Sequence, residues 1–416
     1  MEVVTRVLIG DLLTGRRILD IPYSKLSWSV SRNAAESISL TVPLTSRLVR
    51  RLDLRNATTP AKTFMAVLLD DVPIAAGPIW RRQYAKATGL LDLAAAGMWS
   101  YFDHRHIIPA LAASQGVVDP VTGESINDTV LTNLSYGTIA KRIVQQARTW
   151  TGGNVPIVFQ DDEAGTYTRT YLGATLKKVG EALADFIDLR NGIDIRFQPR
   201  FTSDRLGIEW VLQTGTLTQP YLRSPQVHRW DYTVPKPSIR NLSEVEDASR
   251  MAGLAWFTSG RQEGTALAVQ SSDGVLAGAG YPLLELADAS HSDVTIEATL
   301  QEYADNAILL GRAPMSAWSF EAKASGSPRA GQYWPGDLAE ILVGDDPWLG
   351  NRWGTTVPTD LLPAPDLYPS DDLLPDGGSF YFPPKPVTHV REIASISGDE
   401  KSRWVSVVTE EQIEVS

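Results

Sequence analysis

The chain has 416 residues, is 43% hydrophobic and 21% charged, and carries a formal net charge of −11 with no cysteine. That length implies two or three domains rather than one small core. The acidic balance argues against a sequence-independent nucleic-acid binder, and the lack of cysteine removes disulfides, zinc–thiolate sites, iron–sulfur clusters and cysteine nucleophiles. The start, MEVVTRVLIGD, has an acidic second residue and only a short apolar run, so it does not read as a signal peptide. Nor does any apolar run approach the roughly 18 residues that span a bilayer. Twelve Trp and thirteen Tyr are many, and such side chains favour protein–protein interfaces.

Residues 3–108 read as short β-strands at even spacing. LSWSVS (26–31) and ESISLTV (36–42) alternate, and runs at 64–69 and 74–84 flank a turn at Asp70-Asp71. Residues 109–225 change character. Thr138 is placed to cap a helix carrying Ile139, Ile143, Ala147 and Trp150. Thr175 is placed to open another with Leu176, Val179, Leu183, Phe186 and Ile187. Strands at 193–197 and 206–212 follow across a Pro-Arg-Phe loop, giving an α+β lobe.

β pattern returns around 228–234. A Gly-rich excursion over about 250–312 reads as loop at Gly274–Gly280 and ends in a helix with Ile296, Leu300, Tyr303, Ala307 and Leu310 on one stripe. Trp318, Phe320, Ala322 and Ala324 then alternate with Ser319, Glu321 and Lys323. Pro335-Gly336-Asp337 turns into a strand with Ala339, Ile341 and Val343 on one face and Leu338, Glu340 and Leu342 on the other. A Pro- and aromatic-rich insertion fills 345–386, and the strand WVSVVT (404–409) is apolar on both faces. IWRRQYAKATGLLDLAAAG (79–97) and VREIASISGDEKSRWVSVVTEE (390–411) echo one another in the spacing of start, turn and strand.

Catalytic and metal signals are thin. His104 and His106 in DHRHI would share one strand face, but Asp103 would point away from them. Asp161-Asp162-Glu163 could offer carboxylates to calcium, yet it lacks a calcium-loop spacing and reads as a solvated turn. No GxSxG, HExxH or P-loop pattern occurs.

The order of several segments resembles the tail hub proteins (baseplate-hub-like or tail-tip minor tail proteins) of long-tailed bacteriophages, especially those of actinobacteria. The segments are TRVLIGDLLTGRRILDIPYSKLSWSVSRNAAESISLTVPL, GLLDLAAAGMWSYFDHRHI, YGTIAKRIVQQA, YPLLELADASHSDVTIEATLQEYADNAI and SAWSFEAKASGSPRAGQYWPGDLAEILV. The resemblance implies a mainly β chain with two small β-barrels joined by an α+β lobe. It implies a first barrel at 1–108, a lobe at 109–225 continued by 250–312, and a second barrel at 226–249 and 313–416. Three copies would form a ring at the virion's tail tip, made in the host cytoplasm. The ring would contact distal tail, tape measure and tip or fibre proteins and let DNA pass. No catalytic residue, cofactor or metal is implied. The long insertion at 345–386 is not expected from the family core.

Interface expectations fall on Trp334, Leu338, Leu342, Trp348, Trp353, Tyr368, Phe380, Tyr381, Phe382 and Trp404, aromatic or two-sided apolar positions that one sheet-on-core contact would not use up. Two other classes compete with the structural role. One is a carbohydrate-binding or cell-wall-degrading tail-tip protein, which needs exposed aromatics beside paired carboxylates in a cleft. The other is a β-rich cellular binding module with a single small-molecule pocket.

Overall fold

A computed structural model describes residues 3–110, 115–189, 192–259, 267–291, 294, 296–344, 346, 348–349, 387–401 and 403–411. The first part comprises β1 (Thr5–Asp11), β2 (Arg17–Asp20), β3 (Lys25–Ser31), β4 (Ser37–Pro43), α1 (Leu54–Ala57), β5 (Thr63–Leu69), β6 (Val72–Ala85), β7 (Leu90–Ala96) and α2 (Trp99–Phe102). Alternation decides which face each strand buries. Leu26, Trp28 and Val30 of β3 and Ile38, Leu40 and Val42 of β4 point inward, and the serines between them point outward. The β5–β6 turn uses Asp70 and Asp71 at φ 48° and 64°, a pair of left-handed residues whose twist matches that of a hairpin. Strand β5 (TFMAVLL) does not alternate because both of its faces are covered. Met65, Val67 and Leu69 face one core, and Phe64, Ala66 and Leu68 face a second core beneath the lobe.

That lobe contains β8 (Thr129–Leu134), α3 (Tyr136–Arg148), β9 (Ile157–Phe159), β10 (Tyr167–Tyr171), α4 (Val179–Asp185), β11 (Ile195–Phe201) and β12 (Ile208–Thr214). Three sequence expectations shift here. Ser135, not Thr138, caps α3: its hydroxyl accepts the Thr138 backbone N–H at 3.2 Å. Thr138 instead spends its hydroxyl on the Glu163 backbone, accepting the N–H and donating to the carbonyl, each at 2.8 Å. Thr175 closes a short 3-10 turn, Leu176 turns left-handed at φ 51°, and α4 starts only at Val179. Pro199, Arg200 and Phe201 belong to strand β11 rather than a loop. Because β11 pairs only with β12 among the described residues, it is an edge strand, where a missing proline N–H costs no ladder bond.

The remainder is β13 (His228–Asp231), β14 (Ile239–Asp247), β15 (Leu254–Thr258), β16 (Ala268–Ser272), α5 (Val275–Gly278), β17 (Glu285–Asp288), α6 (Glu297–Leu310), β18 (Met315–Lys323), β19 (Leu338–Val343), β20 (Val387–Asp399) and β21 (Trp404–Glu410). The stretch read as a glycine loop therefore holds a helical turn, entered through Gly274 at φ 71°. Helix α6 buries Leu300, Tyr303, Ala304 and Ile308, whereas Ile296 and Leu310 at the ends of the expected stripe are exposed.

One large sheet runs β14-β18-β21-β20-β3-β4-β7-β6-β5-β1-β2, with β13-β19 branching from β20. It contains the same five-stranded unit twice, as β5-β6-β7-β4-β3 and as β19-β20-β21-β18-β14. The registers agree around the second hairpin of each unit, although β14 carries an extra slip between Arg240 and Ser243 and β5–β6 one between Val67 and Leu68. Ile79 pairs with Ala95, the register slips by one, and Arg81 pairs with Ala94. In the second unit Ile393 pairs with Thr409, the register slips by one, and Ser395 pairs with Val408. In both, the long strand changes neighbour at that bulge, as bulged strands do where a sheet bends. The segments that echo in sequence are these two hairpins. The units differ at one end, where β1 adds antiparallel to β5 but β13 adds parallel to β19.

The chain is thus mainly β. Among the described residues its pairing path is open, and closure of either unit into a barrel is not among the pairings. A single core runs under both units, with Trp28, Leu40 and Ile79 continuing into Trp230, Trp318, Phe320 and Ile393. Among the described residues no helix is long and apolar enough to cross a membrane.

Candidate assembly surfaces

The face of the large sheet opposite this core is built from short hydroxyls. Ser27, Ser29 and Ser31 of β3 stand beside Ser37, Ser39 and Thr41 of β4 on one side and Ser395 and Ser397 of β20 on the other. Ser406 of β21 continues the row, and Ser243 opposite Ser319 repeats it between β14 and β18. The hydroxyls satisfy one another: Ser29 with Ser37 and Ser243 with Ser319 at 2.7 Å, while Thr41 donates to Asp92 at 2.7 Å. Charges on this face are mixed, with Lys25, Arg81 and Lys323 set among Asp92, Glu321, Asp399 and Glu410. Such a surface is wet and shallow, and its cations are too dispersed to hold a run of phosphates.

The two units meet where β3 pairs with β20. Just beyond β3, Arg32 donates through Nε to Asp194 at 2.9 Å and ion-pairs with Glu392. Arg223 reaches the other Glu392 oxygen at 2.5 Å. Asp194 also accepts from Asn33 Nδ2 at 2.8 Å and from the Leu222 N–H at 2.9 Å. This knot ties both units and the lobe together at the wall of a cleft of about 260 Å³. Burial pushes the Glu392 carboxyl up, against the pull of Arg32 and Arg223. A second buried acid, Glu36 beside Gly97, is pushed up to about 8 by burial, which outweighs a backbone hydrogen bond and the charge of Arg196.

The aromatic and apolar interface candidates fall into two groups. Trp348 and Trp404 lie at β14: the Trp348 indole N–H donates to Glu244 at 2.7 Å, and the Arg240 guanidinium sits 4.1 Å from the Trp404 ring centre. Trp348 is 68% exposed. Trp334 and Leu338 lie at the start of β19, with Trp334 half-buried beneath the Arg196 guanidinium. Leu338 and Leu342 hold the register positions that Phe64 and Leu68 hold in the first unit. Those two are buried under the lobe, whereas Leu338 and Leu342 remain half-covered. Trp353, Tyr368, Phe380, Tyr381 and Phe382, with most of the 345–386 insertion, lie outside the described residues.

DHRHI is not a strand. The chain leaves α2 in a turn, His104 packs on Trp80 with ring centres 4.6 Å apart, and His106 meets the Leu176 carbonyl at 2.6 Å through Nδ1. The acidic run at 161–163 is engaged locally, Asp162 with Arg142 and Glu163 with the Leu217 N–H. Among the described residues no group of three His, Cys, Asp or Glu could hold a metal ion. Sequence reasoning missed the serine face, although the alternation in LSWSVS and ESISLTV displays it, and it missed the acidic strand end Glu246-Asp247.

No protein-family model and no curated protein matches the chain. Solved structures do. A tail protein from Neisseria meningitidis MC58 is 13% identical and superposes with a TM-score of 0.51, covering 99% of this chain and 97% of the other. The 43 kDa tail protein of prophage MuSo2 from Shewanella oneidensis is 11% identical with a TM-score of 0.50, covering 98% of each chain. At such identities the likeness is one of fold.

Proposed function

We propose that this chain is a structural component of a bacteriophage tail, a tail hub whose copies ring a channel at the tail tip. The observation that carries the reading is the repeated five-stranded unit, two copies laid edge to edge in one register beneath a continuous hydroxyl face. A wall made of repeated units is what a ring of fewer subunits needs to meet a tube of higher symmetry. The end-to-end likeness of fold to two tail proteins supports it. Three copies per ring, passage of DNA, and contact with distal tail, tape measure and tip or fibre proteins are parts of this proposal. The actinobacterial type rests on the sequence resemblance alone. The domain division at 1–108, 109–225 with 250–312, and 226–249 with 313–416 belongs to the same reading. So does docking of neighbours at Trp334, Leu338, Leu342, Trp348 and Trp404. The test is genetic and structural: virions of a phage carrying this chain should show three copies at the tail tip, and loss of its gene should leave heads without infectious tails. Normal tails made without it would overturn the proposal.

A further inference from the structure

The two ends of the large sheet are not alike, and the repeat states what each end fits. The far half of β20, Ser395 to Asp399, is paired on both sides. One neighbour is β21, and the other is β3 in the register Ser395 with Ser31, Ile396 with Val30, Ser397 with Ser29, Gly398 with Trp28 and Asp399 with Ser27. The far half of β6, Arg81 to Ala85, is its counterpart, fixed by the shared bulge and shared register. Yet among the described residues β6 has only β7 beside it there. Likewise β14 is the counterpart of β3, since Ser243 faces Ser319 as Ser27 faces Ser39. Among the described residues its outer edge ends the sheet. Each chain therefore contains one filled junction and the two separate halves of another.

We infer that β14 of one copy adds antiparallel to the far half of β6 in the next copy, reproducing the β3–β20 junction between chains. This rests on the tail-hub reading and names the surface that would join its copies. Transferring the internal register sets Arg81 opposite Asp247, Arg82 opposite Glu246, Gln83 opposite Val245, Tyr84 opposite Glu244 and Ala85 opposite Ser243. Charge took no part in that transfer, yet it brings two arginines onto two acids. Opposite charges directly across a ladder are favourable and like charges are not. Arg82 is already anchored through Nη1 to the carbonyls of Arg55 and Thr58, so its guanidinium is held at this edge. Val245 and Tyr84 are 62% and 55% exposed, apolar surface on open strands that a soluble chain covers or blunts. The contact is head-to-tail, so it closes a ring when the rotation per copy divides the circle.

Because the parent has no cysteine, one engineered pair reports the register. The full-length double variant Arg82→Cys, Glu246→Cys places two thiols on directly opposite residues, about 4.5–5.5 Å apart at Cα and within disulfide reach. Arg82→Cys with Glu244→Cys is the off-register control. Oxidised tails or concentrated protein should give covalent multimers ending at the closed ring for the first pair and few for the second. In parallel, Arg82→Glu should weaken self-association at least tenfold by sedimentation, and adding Glu246→Arg should restore it. Rings that form without the in-register link, or that ignore both charge changes, overturn the edge pairing and leave the tail-hub reading standing. Tails in which copies of this chain never touch one another overturn both.

Discussion

The indole of Trp28 lies across Gly398: a Cβ built on that glycine would stand 2.7 Å from Trp28 Cζ2. The two residues face each other in the β3–β20 ladder, and Trp28 is buried in the shared core. Glycine is needed here for space, not for backbone freedom. Gly398→Ala should therefore overpack the junction and cost about 1–3 kcal/mol, read as a lower urea midpoint at unchanged slope. A midpoint equal to that of the parent would mean the indole moves aside freely.

The ionic knot behind the same junction predicts an asymmetry. Arg32→Met leaves Glu392 and Asp194 buried with one cation fewer, and breaking a buried pair in this way costs on the order of 3–5 kcal/mol. Glu392→Gln keeps the shape and one of the two acceptor oxygens and sheds a charge that burial already disfavours, so it should cost less. Denaturation curves of the two variants give the comparison, and equal losses would contradict the account.

Much of the β-structure was legible because burial on one face imposes a period of two. The strand Met315–Lys323 carries Trp318, Phe320 and Ala322 inward, as its alternation predicts. Helix ends were read less well, because Ser135 and Thr138 are both competent caps and only the tertiary bond from Thr138 to Glu163 decides between them. DHRHI was misread as strand because nothing local shows that α2 packs on α4 and turns the chain there. The site was least legible of all. That Ser29 meets Ser397, or that Arg32 meets Glu392, depends on pairing across more than 350 positions, which no local pattern encodes. Only the echo between 79–97 and 390–411 hinted that one register would be used twice.

Glu36 provides a pH signature. Its carboxyl is pushed from an ordinary 4.5 to about 8, so the native state holds a proton that the unfolded chain releases. The stabilisation is fully present below about 4.5, declines as pH rises to about 8, and is flat above that. Glu36→Gln should remove this decline and raise stability at pH 8 relative to the parent by on the order of a few kcal/mol. Parallel stability–pH curves for the two proteins between pH 5 and 8 would contradict it.

Gly97 offers a separate check on the same pocket. A Cβ there would fall 1.5 Å from the Glu36 carboxylate oxygen and 2.7 Å from its backbone nitrogen. Gly97→Ala should therefore expel the carboxylate and open the end of β7, lowering the melting temperature by several degrees. Part of that loss should return in Gly97→Ala with Glu36→Ala, where the colliding carboxylate is absent. A double variant no better than the single one would place the clash in the backbone alone.

The hydroxyl face makes the most direct statement about DNA. If duplex slides past it, the wall must not exchange counterions for phosphates, because each pairing adds affinity and a salt-dependent drag. Ser29 and Ser397 face each other across the junction between the repeated units, in the middle of the face. Replacing both with arginine places two adjacent cations where the parent has two hydroxyls, and a ring multiplies that by its copy number. Assembled Ser29→Arg, Ser397→Arg rings should retain duplex DNA more tightly than the parent at about 50 mM salt. The difference should shrink steeply toward about 200 mM as the released counterions become less favourable. Virions carrying the change should eject DNA more slowly, with heads and tails intact. Screening confines the effect to charges within about 8–10 Å of the DNA, so ejection at the parent's rate would mean that DNA does not run along this face.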